Sequence, residues 1–243
     1  CAIIKHGSLC GLSSSPALSQ AYARALACDA ESAFGGIVGV NRPVDAALAG
    51  ALTSTFLEVV LARAVEPSAA EVFRNKANLR VVTLDWPVRP PAEPEWRALL
   101  GSWLLQEPDG QTLQESSLRV ATTRQPTERE RRDLAFAWTA VKHVRSNGVV
   151  LVGERQTLGI GQGQPSRVGS VRLAIQKAGA HAQGSVAASD GFFPFPDSVE
   201  LLAQAGVTAV IQPGGSIRDT DVIAAADAVG MTMLVSGVRH FRH

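Results

Sequence analysis

The sequence predicts an α/β fold in two lobes. Short apolar segments rich in Val and Ile alternate with longer segments of helical spacing along most of the chain, which is typical of strands and helices that pack in layers. The alternation is interrupted by an excursion near residues 86–107, marked by Pro87, Pro90, Pro91 and Pro94. We therefore predict a first lobe of residues 1–126, which contains the excursion, and a second lobe of residues 127–243.

The composition limits the class of protein. The chain has 243 residues, 46% of them hydrophobic, and a formal net charge of +1. This is typical of a soluble globular protein and gives no electrostatic footprint for nucleic acid or an anionic membrane. An odd set of cysteines, Cys1, Cys10 and Cys28, indicates reduced thiols in a cytoplasmic protein. No apolar run reaches the roughly 18 residues of a membrane-spanning helix, and no signal peptide is visible.

The first lobe opens on CAIIKHG, which predicts a buried strand that leads into a loop. Because a domain rarely begins inside a core strand, we expect a segment upstream of residue 1. A helix is predicted over Pro16–Ala27, with Ser15 as N-cap and Pro16 in the first turn. The later elements are strands over 35–40, 56–62 and 78–86 and helices over 44–52 and 70–77.

The second lobe follows a strand predicted over 112–124. Thr127 and Glu130 form a capping-box pattern ahead of a long helix that runs through Lys142. GVVLVGE and TLGIGQG predict a hairpin over 148–163. The remaining elements are helices over 166–182, 197–205 and 219–229 and strands over 184–190, 207–213 and 231–237.

Lys5 and His6 come directly after the first strand, where α/β proteins often bind ligands. A neutral histidine can accept a proton from an attacking amine, and a neighbouring ammonium can stabilise an oxyanion or protonate a leaving nitrogen. On the dipeptide alone, a plain surface Lys-His pair is the favoured interpretation.

Two further segments offer polar groups at strand or helix ends. Asn147 follows the long helix and can both donate to and accept from a carboxamide, although an Asn-Gly turn is the simpler interpretation. Arg167 lies at a helix start after GIGQGQPS, where exposed amides and a guanidinium favour phosphate. The glycine spacing fits neither a dinucleotide fingerprint nor a P-loop.

Several loops complete the candidate site. Aromatic rings in GFFPFPD can stack on a flat heterocycle or plug the core, and Gly214, Gly215 and Ser216 form a possible backbone cradle. Glu58 interrupts an apolar strand, which is rare unless the charge is paired or functional. Arg239 follows the last strand, and we expect its side chain to contact another group rather than to lie in a free tail. No ligand set for zinc is present.

The order of these segments carries more information than any one of them. The segments occur in the same order as in the AICAR transformylase domain of bifunctional purine biosynthesis proteins. In this chain they are CAIIKHG, AYARALACDAESAFGG, FLEVVLA, KHVRSNGVV, GIGQGQPSRVGSVRLA, ASDGFFPFPD, TAVIQPGGSIRD and VRHFRH. The chain closely resembles that domain over nearly its whole length, least across the excursion. No part of it resembles the family's IMP cyclohydrolase half.

The resemblance implies formyl transfer from 10-formyltetrahydrofolate to the 5-amino group of AICAR, giving formyl-AICAR and tetrahydrofolate in purine (IMP) biosynthesis. It also implies two cytidine-deaminase-like α/β/α subdomains without zinc, and a homodimer whose sites straddle the interface. Some relatives hold a monovalent cation near the SNGV segment and the C-terminus, which makes potassium a further candidate here.

By position, His6 resembles the family's general base and Lys5 its transition-state partner. Asn147 is implied in both catalysis and AICAR binding. The other AICAR-contacting positions are Phe34, Gly35, Glu58, Arg167, Phe192 and Arg239. Positions on the folate side are Val168, Asp197, Ser216 and Ile217.

The sequence departs from the family in two places. After Lys5-His6 relatives commonly have Ala-Asn-Pro-Cys-Gly, whereas this chain has Gly-Ser-Leu-Cys-Gly, which is expected to loosen the loop. An Arg-Tyr-Gly-x-Asn-Pro-His-Gln motif that helps to bind the nucleotide in relatives is also absent. We expect residues 1–243 alone to form a dimer or oligomer and to catalyse weakly until an N-terminal portion is supplied.

Three alternatives stay open. Cys1 can act as an N-terminal nucleophile with its amine as base, as in amidohydrolases. The altered loop is compatible with a non-catalytic nucleotide- or folate-binding relic. A zinc deaminase of the same fold is the third, and bound zinc would identify it.

Overall fold

The structure, a computed structural model, describes residues 1–85 and 93–242. Pro87, Pro90 and Pro91 of the predicted excursion, and Trp86 of the strand predicted over 78–86, lie outside the described residues. Up to residue 85 the chain forms five strands and four helices: β1 (Ala2–Lys5), β2 (Ser8–Leu12), α1 (Leu18–Cys28), α2 (Ala30–Ala33), β3 (Gly36–Gly39), α3 (Ala46–Thr53), β4 (Leu57–Ala62), α4 (Pro67–Phe73) and β5 (Arg80–Thr83).

These five strands form one mixed sheet in the order β2-β1-β3-β4-β5. β1 runs antiparallel to both β2 and β3, while β3, β4 and β5 are parallel to one another. One face of the sheet packs on α1, α3 and α4 through a core that includes Ile3, Val38, Leu48 and Val60. Val and Ile favour such strands because their branched side chains fit the pleated, buried surface.

Beyond residue 92 the chain adds a hairpin, a second sheet and its helices. The elements are β6 (Glu95–Leu99), β7 (Ser102–Gln106), β8 (Arg119–Val120), α5 (Glu128–Val141), β9 (Val149–Gly153), β10 (Gln156–Gly161), α6 (Arg167–Ala178), β11 (Val186–Ser189), α7 (Asp197–Gln204), β12 (Ala209–Gln212), α8 (Asp219–Ala228) and β13 (Thr232–Val235).

The second sheet has the order β10-β9-β11-β12-β13-β8. β9 is antiparallel to β10 and β11, and β11, β12 and β13 are parallel. Apart from β8, this repeats the order and directions of the first sheet. Each sheet begins with a hairpin closed by two residues of positive φ, His6–Gly7 in the first and Glu154–Arg155 in the second. The two halves therefore share one strand order and one set of strand directions.

A glycine in each half lets a helix approach an edge strand closely. A methyl group at Gly11 of β2 would collide with the carbonyl oxygen of Ala25 in α1. A methyl group at Gly161 of β10 would collide with the carbonyl oxygen of Ser170 in α6. Gly11 and Gly161 are therefore needed for the close packing of a helix on a strand.

The two halves join along β2 and β10. Thr157 Oγ1 accepts from the Leu12 backbone N–H at 2.9 Å, and Ser13 bridges to Gln156. Gln162 Nε2 donates to the Leu9 carbonyl at 3.1 Å. The two sheets therefore lie edge to edge, so loops from both halves gather along one side of the molecule.

The long helix begins as predicted. Thr127 Oγ1 accepts from the Glu130 backbone N–H at 3.2 Å, and the Glu130 carboxylate accepts from the Thr127 N–H at 2.8 Å. This is the reciprocal capping box, and α5 then buries Leu134, Ala137 and Trp138 against the second sheet.

Four element predictions need correction. The helix predicted over Pro16–Ala27 begins at Leu18, with Ala17 and not Ser15 at the N-cap position and no side-chain cap. The strand predicted over 112–124 shrinks to the two residues of β8, preceded by a short 3-10 helix over Glu115–Ser117. The helix predicted over 70–77 starts earlier, because Pro67 provides a first-turn start. The excursion contains the β6–β7 hairpin, closed at Leu100–Gly101, which both have positive φ.

Candidate active site

Lys5 and His6 lie where β1 turns into β2. His6 and Gly7 have φ of 52° and 71°, the left-handed conformation that a two-residue hairpin turn requires. Lys5 Nζ donates to the Phe34 carbonyl oxygen at 2.5 Å, which holds the ammonium next to the turn. Because β1 is antiparallel to β3, this end of β1 lies beside the amino ends of β3 and β4.

Phe34 and Gly35 stand at that same edge. Gly35 has φ of 71°, and its N–H donates to the Phe56 carbonyl at 2.8 Å. The Phe34 and Phe56 rings lie 5.1 Å apart and are 59% and 49% exposed. An ammonium and two exposed aromatic rings thus surround a glycine that lacks a side chain to obstruct a ligand.

Glu58 is the second residue of β4 and is exposed. Its carboxylate pairs with Arg80 Nη1 on the neighbouring strand at 3.0 Å. The charge that interrupts the apolar strand is therefore paired on the sheet surface. Its predicted contact with a ligand stays a prediction.

A second group of predicted residues lines a cleft of about 470 Å³ at the carboxyl ends of the parallel strands in the second sheet. Asn147 is oriented there by a hydrogen bond from its Nδ2 to the Gln164 carbonyl at 2.9 Å. The cleft is lined by Asn147, Pro165, Ser166, Arg167, Val168, Phe192, Pro194, Phe195, Asp197 and Ser198.

Arg167 forms the buried floor of this cleft. Its side chain is 8% exposed, and Nη1 pairs with the fully buried Asp190 carboxylate and donates to Ser189 Oγ at 3.1 Å. Burial lowers the pKa of Arg167 to about 10. The second Asp190 oxygen, Oδ2, is buried without a partner. Arg167 therefore already has a carboxylate partner, which weakens its fit to the phosphate role expected from sequence.

The predicted backbone cradle after β12 is occupied by its own helix. The N–H groups of Gly215 and Ser216 donate to the Asp219 carboxylate at 2.7 and 3.2 Å. Ile217 is fully exposed, and the Arg218 guanidinium lies 5.2 Å from the Phe195 ring centroid. This loop thus offers an apolar side chain and a cation to a ligand rather than free amides.

Arg239 provides an exposed cation after β13. Its guanidinium stacks on Phe241, with Cζ 5.0 Å from the ring centroid. The Phe241 ring approaches Gly191, and the His240 N–H donates to the Asp190 carbonyl at 2.9 Å. Arg239 is therefore attached to the segment that follows β11.

The two groups meet at Arg145. Arg145 Nη2 lies within 3.9 Å of where a Cβ on Gly7 would sit. Its N–H donates to Gln162 Oε1 at 3.4 Å, and its carbonyl accepts from the Gly163 N–H at 2.9 Å. Turn residues of the first sheet thus adjoin the segment that carries Asn147.

Comparison with known proteins assigns the chain. Residues 1–177 match the AICARFT/IMPCHase bienzyme family. The chain belongs to this family. A bifunctional purine biosynthesis protein PurH from Synechococcus elongatus is 50% identical over 243 residues, which cover 100% of this chain and 47% of that protein. The PurH of Bacillus mycoides is 47% identical over 240 residues, covering 99% and 47%.

The chain spans about half the length of the curated relatives it matches. A solved chain of Acinetobacter baumannii RibD aligns at a TM-score of 0.31 and 20% identity over 44% of this chain and 34% of that chain. That likeness is too weak to bear on the fold.

The family's fold raises the question of metal. Over residues 1–85 and 93–242, no three His, Cys, Asp or Glu side chains are grouped so as to hold a metal ion. Within the same ranges no helix is long and apolar enough to cross a membrane.

Three residues near the site were missed from sequence. Asp190 and Asp219 hold Arg167 and the 215–216 amides, and Arg145 adjoins the His6 turn. Asp190 had a usable signal, since it directly follows a buried strand. Arg145 and Asp219 look like ordinary surface charges, and only the tertiary contacts distinguish them.

Proposed function

We propose that the chain is an AICAR formyltransferase (phosphoribosylaminoimidazolecarboxamide formyltransferase). It transfers the formyl group of 10-formyltetrahydrofolate to the 5-amino group of AICAR. The supporting observation is that a chain about 50% identical throughout to PurH carries the Lys5–His6 turn on the same side as the cleft floored by Arg167. The family's other activity belongs to relatives, and no residue of this chain is proposed for cyclohydrolase chemistry.

The chemistry requires a base because the AICAR amine is conjugated with its ring and is a poor nucleophile. His6 accepts a proton from this amine as the nitrogen bonds to the formyl carbon. General-base action of this kind contributes about 10²–10⁴-fold to rate. The Lys5 ammonium stabilises the tetrahedral oxyanion and protonates N10 of the folate as the C–N10 bond breaks. Asn147 can donate to and accept from the AICAR carboxamide.

AICAR binding is proposed for residues of both groups. Phe34 and Phe192 offer exposed aromatic surface to the imidazole, and Gly35 leaves room beside it. Arg239 is the exposed cation for the phosphate, while Arg167 acts from the floor of the cleft. Glu58 is also proposed to contact AICAR, and the substrate must then compete with Arg80 for the Glu58 carboxylate.

Folate binding is proposed along the other wall of the cleft. Val168 and Asp197 line it, and Ser216 and Ile217 stand on the adjoining loop. The fully exposed Ile217 suits the apolar face of the benzoyl ring of a folate. The Asp197 carboxylate, at the start of α7, can accept hydrogen bonds from pterin nitrogens.

We also propose two zinc-free, cytidine-deaminase-like subdomains over 1–126 and 127–243, a homodimer with sites at the interface, and a cytoplasmic location. The shared strand order of the two sheets supports two related subdomains, but β8 (Arg119–Val120) pairs with β13, so the second subdomain also takes residues that precede 127. A monovalent cation such as potassium is proposed near the SNGV segment and the C-terminus, where Asp190 Oδ2 is buried without a partner.

A formyl-transfer assay tests the function. Tetrahydrofolate should appear only when the chain, AICAR and 10-formyltetrahydrofolate are all present. Tight AICAR binding without tetrahydrofolate would instead favour the non-catalytic relic. Amide hydrolysis abolished by thiol alkylation would favour the Cys1 nucleophile, which lies at the far end of β1 from His6.

A further inference from the structure

The segment after β13 alternates between exposed and buried side chains. Arg239 is exposed, Phe241 is 40% exposed, and His240 between them is 2% exposed. Specific contacts must hold this buried imidazole in place, because the segment is not part of a strand and no sheet supports it.

His240 is held by the segment that follows the β6–β7 hairpin. Its Nδ1 lies 2.5 Å from Asp109 Oδ2, and since a carboxylate only accepts, the ring nitrogen donates. The ring also meets the edge of Trp138 in α5, with centroids 4.2 Å apart. Lys142 Nζ lies 3.7 Å from the other Asp109 oxygen. Asp109 and His240 together form what we call the clasp.

Hydrogen bonds on both sides of His240 extend the clasp to the site. The His240 N–H donates to the carbonyl of Asp190, the residue whose carboxylate pairs with Arg167. Gln106 Nε2 donates to the Phe241 carbonyl at 3.3 Å, and Arg242 Nη1 donates to the His143 carbonyl at 3.2 Å. The excursion, α5 and the floor of the cleft are thus joined through one short segment.

The clasp restricts the position of Arg239. Its guanidinium stacks on Phe241, and both project from the segment that the clasp fixes. Without the clasp, the chain beyond β13 would keep the conformational freedom of a loop, and ordering it on ligand binding would cost affinity.

We propose that Asp109 and His240 are positioning residues that fix Arg239 for the anionic part of the substrate. This rests on the proposed function, in which Arg239 meets the AICAR phosphate. A side chain from the segment between β7 and β8 thereby sets substrate affinity without touching substrate.

The clasp is first tested without substrate, by hydrogen–deuterium exchange of the backbone amides of residues 238–242 in the full chain. Asp109→Ala removes the acceptor of the His240 Nδ1 hydrogen bond at a partly exposed side chain, so the protein should fold normally. It should raise exchange in this segment by tenfold or more. Glu107→Ala is the matched control, since it truncates an exposed carboxylate two residues away. Unchanged exchange in Asp109→Ala would overturn the clasp whatever the chain catalyses.

The second arm measures steady-state kinetics and AICAR binding. Asp109→Ala and His240→Leu should raise the AICAR KM and Kd five- to twentyfold while kcat stays within about twofold. His240→Asn, whose amide nitrogen can replace Nδ1, should recover most of that loss. Equal losses in His240→Asn and His240→Leu, or a fall in kcat with KM unchanged, would contradict a positioning role. Absence of turnover in the wild type would count against the proposed function alone, because exchange and AICAR Kd still decide the clasp.

Discussion

His6 occupies a backbone conformation that few residues adopt without strain. Its φ of 52° lies in the left-handed region, which Asn, Asp and His tolerate better than other non-glycine residues. A substitution at this position therefore changes both the turn and the chemistry. Separating the two requires a replacement that keeps the turn but cannot act as a base.

We predict that His6→Asn and His6→Ala both lower kcat by at least about 10²-fold, because each removes the general base. Asn preserves the left-handed turn, so His6→Asn should retain the wild-type Tm and AICAR affinity. His181→Ala, at an exposed histidine far from the turn, serves as control and should retain full activity. A His6→Asn protein that keeps more than a tenth of wild-type kcat would exclude His6 as the base.

We predict that substitution of Arg167 mainly lowers stability, whereas substitution of Arg239 mainly weakens phosphate recognition. Arg167→Leu leaves the buried Asp190 carboxylate unpaired, which should destabilise the fold by about 3–5 kcal/mol in urea unfolding. Arg239→Leu should fold normally but lose most of the preference for AICAR over its nucleoside, since a charge-assisted contact contributes about 1.5–3 kcal/mol. If Arg167→Leu is stable and loses that preference instead, the phosphate belongs to Arg167, as first expected from sequence.

At the scale of elements, α5 depends on an acid buried at its first turn. Glu130 is 3% exposed and accepts from Arg124, Thr127 and Thr208. Burial alone would raise the pKa of this carboxyl, but these partners outweigh it and lower the pKa from 4.5 to about 2. The folded-state pKa is below the unfolded one, so the stabilisation is complete above about pH 4.5 and is lost as pH falls toward 2.

Glu130→Gln should therefore cost about 3 kcal/mol of unfolding free energy at pH 7, at roughly 1.4 kcal/mol per pKa unit. The difference from wild type should shrink as the pH is lowered from 4.5 toward 3. Glu128→Gln, an exposed carboxylate in the same turn, should change stability by less than about 0.5 kcal/mol. A Glu130→Gln penalty that is the same at pH 7 and pH 3.5 would show that the charge is not its source.

Elements with strong local signals could be predicted from the sequence. The α5 capping box depends on Thr127 and Glu130 alone, and the β9–β10 hairpin on two apolar segments separated by a short polar turn. The β6–β7 hairpin could not, because its turn uses Leu100 in a left-handed conformation that Leu rarely adopts. For the site, Lys5, His6 and the cleft residues were found by resemblance. The Arg167–Asp190 pair was not, since it depends on how close the first residue of α6 lies to the residue that follows β11.

At the scale of the whole molecule, the candidate residues form two groups that lie on separate sheets. Lys5, Phe34 and Glu58 belong to the first sheet, while Arg167 and Phe192 belong to the cleft of the second. Arg145 connects the two groups within one chain, because it adjoins the His6–Gly7 turn and precedes the segment that carries Asn147. The proposed homodimer predicts instead that each site takes one group from each of two copies, and the two arrangements can be distinguished by experiment.

Mixing two inactive variants tests the shared site. His6→Ala and Asn147→Ala, unfolded together and refolded, should form mixed dimers in which one site of two is intact. Activity should then recover to about a quarter of wild type if the two residues come from different copies and subunits pair at random. Mixing His6→Ala with Lys5→Ala, from one group, should give no recovery. No recovery in the first mixture would place His6 and Asn147 of one chain in the same site.

The most direct test of the central claim is to follow the formyl carbon itself. 10-Formyltetrahydrofolate labelled with ¹³C at the formyl group is incubated with AICAR and the chain, alone and with the N-terminal portion of a PurH relative added. We predict that the label appears on the 5-amino nitrogen of AICAR, that His6→Asn abolishes the transfer, and that the added portion increases its rate. Label that stays on the folate, or is released as formate, while AICAR remains bound and unchanged would contradict the assignment.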